Sequence, residues 1–407
     1  MIRSTKHILK FSTSKKQEFI NSILDDFKDL VQYYITFVLE NKLPLKKYLS
    51  SKQLPNNGII DGGQWKALAY KQASSIIRSQ LDKAKSRRYK HYKKIYYKAK
   101  KQDRRIKFTN KRYGELNLKP LLQSKFFTLP NLNSISIDLD DRFFNLSFDA
   151  KNFDEFISVA TPYIKEGYKN QRIKVNLPIK HYKHSNKYRN DDSWERKSTI
   201  RLRRNKQGQL FIDIIYYKPE PAKKSYGRPL GIDQGYKKLL ADSNGNIYGT
   251  HLESLYNQIS NKSQGSKAFK NLLIHRDNEI NRICNELEID EISELIVEDL
   301  KNVKHKTKQD NKIRTKFMNK LQRWSYAKTI GKLERLCEEN GILLTKVNPA
   351  YSSQTCSNCG CVDKKSRKGE VYKCQHCGYV NDADVNAAIN ILRTGVYSPC
   401  SPRETIS

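Results

Sequence analysis

From Lys15 onward the apolar positions fall three and four residues apart: Phe19, Ile20, Ile23, Leu24, Phe27, Leu30, Val31 and Tyr34. That spacing predicts a helix with one buried face. Ahead of it, Ile8, Leu9 and Phe11 alternate with polar residues, so residues 1–12 read as a strand. Breaks around Pro55, Asn57 and Gly58 and at Gly62-Gly63 separate the first helix from a second, Trp65 to Asp82. Between about 120 and 218 the period changes to two. Ser134 to Leu139, Ile173 to Leu177 and Leu210 to Ile214 alternate cleanly, with Asn, Gly and Asp turns between them. Short strands at this spacing predict a β-barrel or curled sheet.

Pro219 to Pro221 reads as a linker into a different unit. Leu230 to Asp233 is a strand ending on an acid. Tyr236 to Asp242 and Ile247 to Gly249 continue a meander through an Asn244-Gly245 turn. A helical region spans about 252–288. Leu295 to Val297 is a short buried strand running into Glu298. A helix over about 316–340, a strand from Ile342 to Val347 and a last helix from Ala383 complete the pattern.

Composition narrows the partner. In 407 residues, 77 Lys or Arg face 42 Asp or Glu, a formal charge of +35. Such a field repels itself unless a polyanion neutralises it, which points to nucleic acid rather than a metabolic role. Residues 83–112 hold fifteen Lys or Arg against the single acid Asp103. Here Arg87, Arg88, Lys93, Lys94, Arg104 and Arg105 are candidate phosphate contacts. Tyr89, Tyr92 and Tyr96, at helical spacing in the same stretch, read as a face packed on a core. No run is apolar enough to span a bilayer, and Gln32 interrupts the most apolar stretch, Leu30 to Leu39. The N-terminus lacks a signal-peptide core, so the expected compartment is the cytoplasm.

Cys356-x-x-Cys359 and Cys374-x-x-Cys377, fourteen residues apart, have the spacing of a four-thiolate zinc site. Gly360 and Gly378 follow each pair where tight turns need them. A site filled by four thiolates leaves no open position, so this Zn²⁺ would be structural. Cys361 is a spare that could replace Cys359, and Cys284 and Cys337 read as core residues. The alternative is free thiols or disulfides.

Three further acids lie beside apolar runs: Asp233, Glu298 and Asp384. If they converge, they would hold two divalent cations suited to phosphodiester hydrolysis. Equally, Asp233 and Glu298 would be loop residues beyond strand ends, and Asp384 a helix cap.

These segments resemble a known family. Gly231-Ile232-Asp233-Gln234-Gly235, Ile296-Val297-Glu298-Asp299-Leu300 and Asp384-x-Asn386-Ala387-Ala388-x-Asn390-Ile391-Leu392 resemble the three motifs of RuvC-type, RNase H-like nucleases. Lys320 to Trp324 and Val347-Asn348-Pro349-Ala350-Tyr351-x-Ser353-Gln354-Thr355-Cys356 resemble the transposon-encoded TnpB proteins, relatives of compact type V CRISPR effectors. The likeness covers about 225–395.

The resemblance implies a multidomain α+β protein and an RNA-guided DNA endonuclease. The guide RNA would come from the element's own end or from a CRISPR array, and the target would be double-stranded DNA with a short flanking motif. Asp233, Glu298 and Asp384 carry over as the Mg²⁺-binding acids of one RuvC-like site. Residues 223–351 and 381–396 would form the α/β nuclease domain, with 352–380 its zinc-binding insert and 397–407 a tail. Residues 1–12 and 119–222 would form a wedge β-barrel, with 13–118 a helical recognition lobe inserted in it. Lys71, Gln72 and Ser75 become candidate readers of base edges. Lys304, Lys306 and Arg314, in a basic lid after Glu298, and Arg323 become contacts to the cut strand. A monomer is expected, with a dimer as the alternative. Competing readings are a nuclease-dead RNA-guided repressor, which the three intact acids oppose, and a tyrosine transposase, which would need a His-x-His pair absent here.

Overall fold

The structure, a computed structural model, describes residues 1–41, 49, 51–60, 62–102, 125–129, 132, 135–148, 151–168, 171–300 and 325–397. The chain divides into two compact units between Lys218 and Pro219. Among the described residues no helix is long and apolar enough to cross a membrane.

In the N-terminal unit, β1 (Ile2–Ile8) leads into α1 (Ser14–Glu40). The Thr13 hydroxyl caps α1 by accepting the Lys16 N–H at 3.4 Å. The predicted stripe is buried, and it packs on α2 (Gly63–Gln102), with Phe27 edge-on to Trp65 and Tyr34 edge-on to Tyr70. Helix α2 runs well past the expected Asp82 because nothing in the basic stretch breaks it. Ala84 is the last buried side chain among its described positions; of the expected tyrosine face, Tyr89 is 41% exposed and Tyr92 is half-buried. Lysines and arginines instead lie along the rings, Arg88 over Tyr92 and Lys93 over Tyr89 and Tyr97.

The period-two region gives β2 (Ser136–Asp140), β3 (Phe144–Ser147), β4 (Glu155–Ile164), β5 (Arg172–Ile179), β6 (Glu195–Arg204) and β7 (Leu210–Tyr217), with α3 (Lys183–Arg189) after β5. These pair antiparallel into a four-stranded sheet, β1-β7-β6-β2, and a three-stranded one, β3-β4-β5. Where a barrel or curled sheet was expected, the described strands make two sheets, with no pairing between them among the described residues.

The C-terminal unit is built on one mixed sheet. Its strands are β8 (Arg228–Asp233), β9 (Leu240–Asp242), β10 (Ile247–Tyr248), β11 (Ile292–Glu298) and β12 (Leu343–Val347), in the order β10-β9-β8-β11-β12. The first three form an antiparallel meander, while β11 and β12 run parallel to β8. The Asn-Gly turn forms with Gly245 at φ 100°, and the Asp242 carboxylate accepts the N–H groups of Asn244 and Asn246. The expected helical region over 252–288 is two helices, α4 (Leu252–Ser260) and α5 (Lys267–Cys284), because Ser266 starts a new helix by capping Phe269. With α6 (Tyr326–Glu339) they bury one face of the sheet through Leu230, Ile232, Leu295 and Val297. Short strands β13 (Arg367–Lys368), β14 (Val371–Lys373) and β15 (Val380–Asp382) form a small sheet that feeds directly into α7 (Ala383–Tyr397).

Helix α7 lies on the other face of the main sheet, with Ile391 against Ile296 and Val347. The approach is close. A Cβ on Gly231 of β8 would meet the Ala388 carbonyl oxygen at 2.3 Å, and one on Gly395 would meet Ile296 at 2.6 Å. Glycine at these two positions lets helix backbone and strand touch.

Candidate active site and metal centre

Strands β8 and β11 are parallel neighbours with Ile232 opposite Val297. Each ends on the next residue, so Asp233 and Glu298 emerge side by side from the same sheet edge. The first turn of α7, pressed on β8 through Gly231, supplies Asp384, which is 8% exposed. The three acids interact. Burial, then the Glu298 and Asp384 carboxylates, push the Asp233 carboxyl well above the usual carboxylate range. Burial also raises Glu298, opposed by the Ser352 hydroxyl, which donates to its Oε1, and by Arg367.

Basic side chains balance this charge. Arg367 donates from Nη2 to Asp384 Oδ1 at 2.8 Å, and Lys238 Nζ stands 3.8 Å from Asp384 Oδ2. Lys238 also pairs with Asp382, two residues from Asp384. Asp382 serves the helix instead, since its Oδ1 accepts the N–H groups of Asp384 and Val385 and so caps α7. The helix-cap reading therefore belongs to Asp382 and leaves the Asp384 carboxylate facing Arg367 and Lys238. Gln234, 7% exposed, has no hydrogen-bond partner at either amide atom among the described residues.

The four cysteines form a second centre. The Sγ atoms of Cys356, Cys359, Cys374 and Cys377 all lie within 4.8 Å of one another. Two of the separations, Cys356 to Cys377 and Cys359 to Cys374, are 3.7 Å. A tetrahedron of sulfurs at the usual zinc–sulfur bond length of about 2.3 Å has edges of about 3.8 Å, so the cluster could hold a metal such as zinc. Gly360 and Gly378 turn each knuckle at φ 75° and 72°. Their N–H groups return to the carbonyls of Cys356 and Cys374. The backbone N–H of Tyr379 leads the interactions that lower Cys377 to about 6, which favours the thiolate a metal binds. Cys361 stays outside the cluster, and Cys284 and Cys337 are buried with thiols pushed up to about 12 by burial.

The two centres are joined by side chains whose roles sequence reasoning missed. Asn386 and Asn390, one turn apart on the buried face of α7, clamp the chain that enters the first knuckle. Asn386 accepts the Ser357 N–H at 2.9 Å and donates to the Thr355 carbonyl at 2.8 Å. Asn390 donates to the carbonyls of Ser352 and Thr355 at 3.0 and 2.6 Å. Ser352 then reaches Glu298. A recognisable signal lay in two Asn four residues apart on an otherwise Ala-rich buried stripe, since buried amides require partners. Ser352, Arg367 and Lys238 carried no comparable signal. Tyr351, next to Ser352, is held at φ 67° and is 63% exposed.

The expected nucleic-acid residues divide three ways. Lys71, Gln72 and Ser75 line one cavity of about 300 Å³ with Leu68, Ile76 and Asp138. The Gln72 amide donates to the Ser136 carbonyl at 2.9 Å, so it is engaged in packing α2 on β2. Arg87 likewise donates to the Phe126 carbonyl and Thr128 hydroxyl. Arg88, Lys93 and Lys94 lie on the largely exposed C-terminal half of α2. Arg104, Arg105, Lys304, Lys306, Arg314 and Arg323 lie outside the described residues.

Residues 326–391, from α6 through most of α7, match the Cas12f1-like TNB domain family. A Cas12f1 endodeoxyribonuclease of Sulfoacidibacillus thermotolerans is 46% identical over 72 residues, 17% of each chain. A TnpB-like protein of Methanocaldococcus jannaschii is 30% identical over 100 residues, covering 24% of this chain and 34% of that one. A putative transposase of the same organism is 34% identical over 89 residues, which is 81% of its length and 19% of this chain. This chain is a TnpB-family relative of the type V effectors.

The matched stretch of this TnpB relative spans less than a fifth of the curated Cas12f1 proteins it resembles. The fold likeness extends further. The structure of the CRISPR-Cas phi3 mini-RNA-guided endonuclease superposes with a TM-score of 0.56 at 12% identity, covering 99% of this chain and 94% of that one.

Proposed function

We propose that this TnpB relative is an RNA-guided DNA endonuclease with one RuvC-like site. The observation that carries the reading is the meeting of Asp233, Glu298 and Asp384 from two adjacent strand ends and one helix start. The sheet order β10-β9-β8-β11-β12, meander first and parallel strands after, is the order an RNase H-like sheet would have. The family match supports the nuclease class.

Asp233, Glu298 and Asp384 would hold Mg²⁺; their mutual repulsion, expressed in the raised Asp233, fits a site completed by cations. Bound there, two Mg²⁺ ions would activate water and stabilise the leaving oxygen of a phosphodiester. The protein's own part is placement. The paired strands fix Asp233 and Glu298, Ser352 orients Glu298, and Arg367 and Lys238 hold Asp384. The four cysteines would bind one structural Zn²⁺ and thereby fix the strand that carries Arg367.

By the same reading, residues 1–12 and 119–222 would be a wedge and 13–118 a recognition lobe. The cavity at Lys71, Gln72 and Ser75 is the candidate reader of the flanking motif. Guide RNA and target DNA would together neutralise the +35 charge.

The test is to purify the chain with its native flanking DNA, sequence the co-purifying RNA, and challenge the complex with a randomised plasmid library in Mg²⁺. Guide-dependent cleavage next to one enriched motif is expected, and Asp233→Ala should abolish it while retaining the RNA. Cleavage by Asp233→Ala at the wild-type rate would remove this residue from the metal site.

A further inference from the structure

The N-terminal unit carries a second built cavity, remote in sequence from every motif above. It measures about 400 Å³ and is lined by Lys6, His7, Ile8, Lys10, Phe11, Lys180, His181 and Tyr182. The lining joins the end of β1 to the loop between β5 and α3. Three features set it apart from ordinary basic surface.

Its charge is unbalanced. Lys6, Lys10 and Lys180 are exposed and make no ion pair among the described residues. Lys10 lies 4.9 Å from the ring centre of Phe11 in the wall, whereas Lys6 rests 3.8 Å from that of Phe211, outside the lining. The acids beneath are already engaged. Glu155 is fully buried, 2.7 Å from Arg196 and 3.4 Å from His181. Asp154 Oδ2 accepts the backbone N–H of His181 at 2.6 Å.

Its floor is buried, and burial lowers the His7 imidazole to about 4. His7, 3% exposed, is held between the Thr5 hydroxyl at 3.0 Å and the Lys180 carbonyl at 3.4 Å, and stands edge-on to His181. Its walls are aromatic. Phe11 and Tyr182 are 42% and 41% exposed, and neighbouring rings, Phe153 and His7, brace each of them.

Exposed lysines and part-exposed rings in one lining are complementary to a phosphate joined to a planar base. A duplex would offer only phosphates here, because its bases are already stacked. We propose that this cavity binds one unstacked nucleotide of a single-stranded nucleic acid, its phosphate on Lys6, Lys10 and Lys180 and its base against Phe11 or Tyr182. The site stands on its own geometry and does not depend on the nuclease reading.

The test uses the full chain and short fluorescent tetranucleotides, one RNA and one DNA of the same sequence. Two variants are compared with wild type: Phe11→Ala, and Lys6→Gln/Lys10→Gln/Lys180→Gln combined. Loss of stacking should weaken binding about fivefold or more without altering its salt dependence. Loss of three phosphate contacts should flatten the slope of log affinity against log salt by about two. Whichever strand shows both effects supplies the nucleotide. Tetranucleotides carrying 5-iodouridine should cross-link to Phe11 or Tyr182. Unchanged affinity and slope for both strands in both variants, or cross-links wholly outside this cavity, would overturn the proposal. The surface Lys→Gln changes leave the core intact, so a misfolded Phe11→Ala protein would not spare it.

Discussion

Arg367, on a two-residue strand of the cysteine module, donates to the Asp384 carboxylate at 2.8 Å, seventeen residues away in sequence. The module thus supplies a cation to the acid centre as well as a fold. Arg367→Ala should lower DNA cleavage on the order of 10²-fold, the cost typical of losing a fixed charge-stabilising donor. Zinc content and melting temperature should stay at wild-type values. Timed plasmid cleavage beside metal analysis checks both, and a full-rate variant would leave Arg367 a surface residue.

Asp233→Asn should stabilise the cation-free protein while abolishing cleavage. Its carboxyl is raised from 3.8, so the folded chain holds the proton more tightly than the unfolded chain. That contribution is complete below the unfolded value and is lost as pH rises through the folded one. At neutral pH the wild type therefore carries a penalty that asparagine lacks. Each kcal/mol relieved would raise the melting temperature by about 2–4 °C. Mg²⁺ should narrow the difference between the two proteins, because cations relieve the same repulsion.

Cys374→Ser should reduce bound zinc from about one per chain and lower the melting temperature. Cys361→Ser, outside the cluster, should change neither. Metal analysis and calorimetry distinguish these outcomes. A zinc-free wild type would refute the knuckle.

Gly231→Ala should separate strand β8 from helix α7, since the new Cβ would meet the Ala388 carbonyl at 2.3 Å. Overpacking of this kind costs about 1–3 kcal/mol. Because α7 carries Asp384, cleavage should fall further than stability. A variant with reduced stability but full cleavage would show that the acids tolerate this displacement.

The elements of the acid centre were legible in the sequence for a simple reason. Leu230 to Asp233 and Leu295 to Glu298 are apolar runs that end abruptly on a carboxylate, and such an ending is local. The cysteine knuckles were equally local. What stayed hidden was non-local or lacked periodicity. Strand β6 reads Glu-Arg-Lys-Ser-Thr-Ile-Arg-Leu-Arg-Arg, and its charges mask the alternation. Arg367 sits on a strand too short to show a period. The Tyr89 stripe had the spacing of a core face, yet Tyr89 itself is 41% exposed, and periodicity alone does not say what lies opposite.

The joint between knuckle and helix has a practical consequence. Only residues 378–383 separate Cys377 from Asp384, and β15 passes into α7 without a loop. One residue inserted there would rotate the helix by about 100° relative to the knuckle. Asp384 would then leave the cluster of acids. Chimaeras that exchange this module between relatives must therefore preserve its spacing to the residue, whereas additions at the open turn around Gly369 can vary in length.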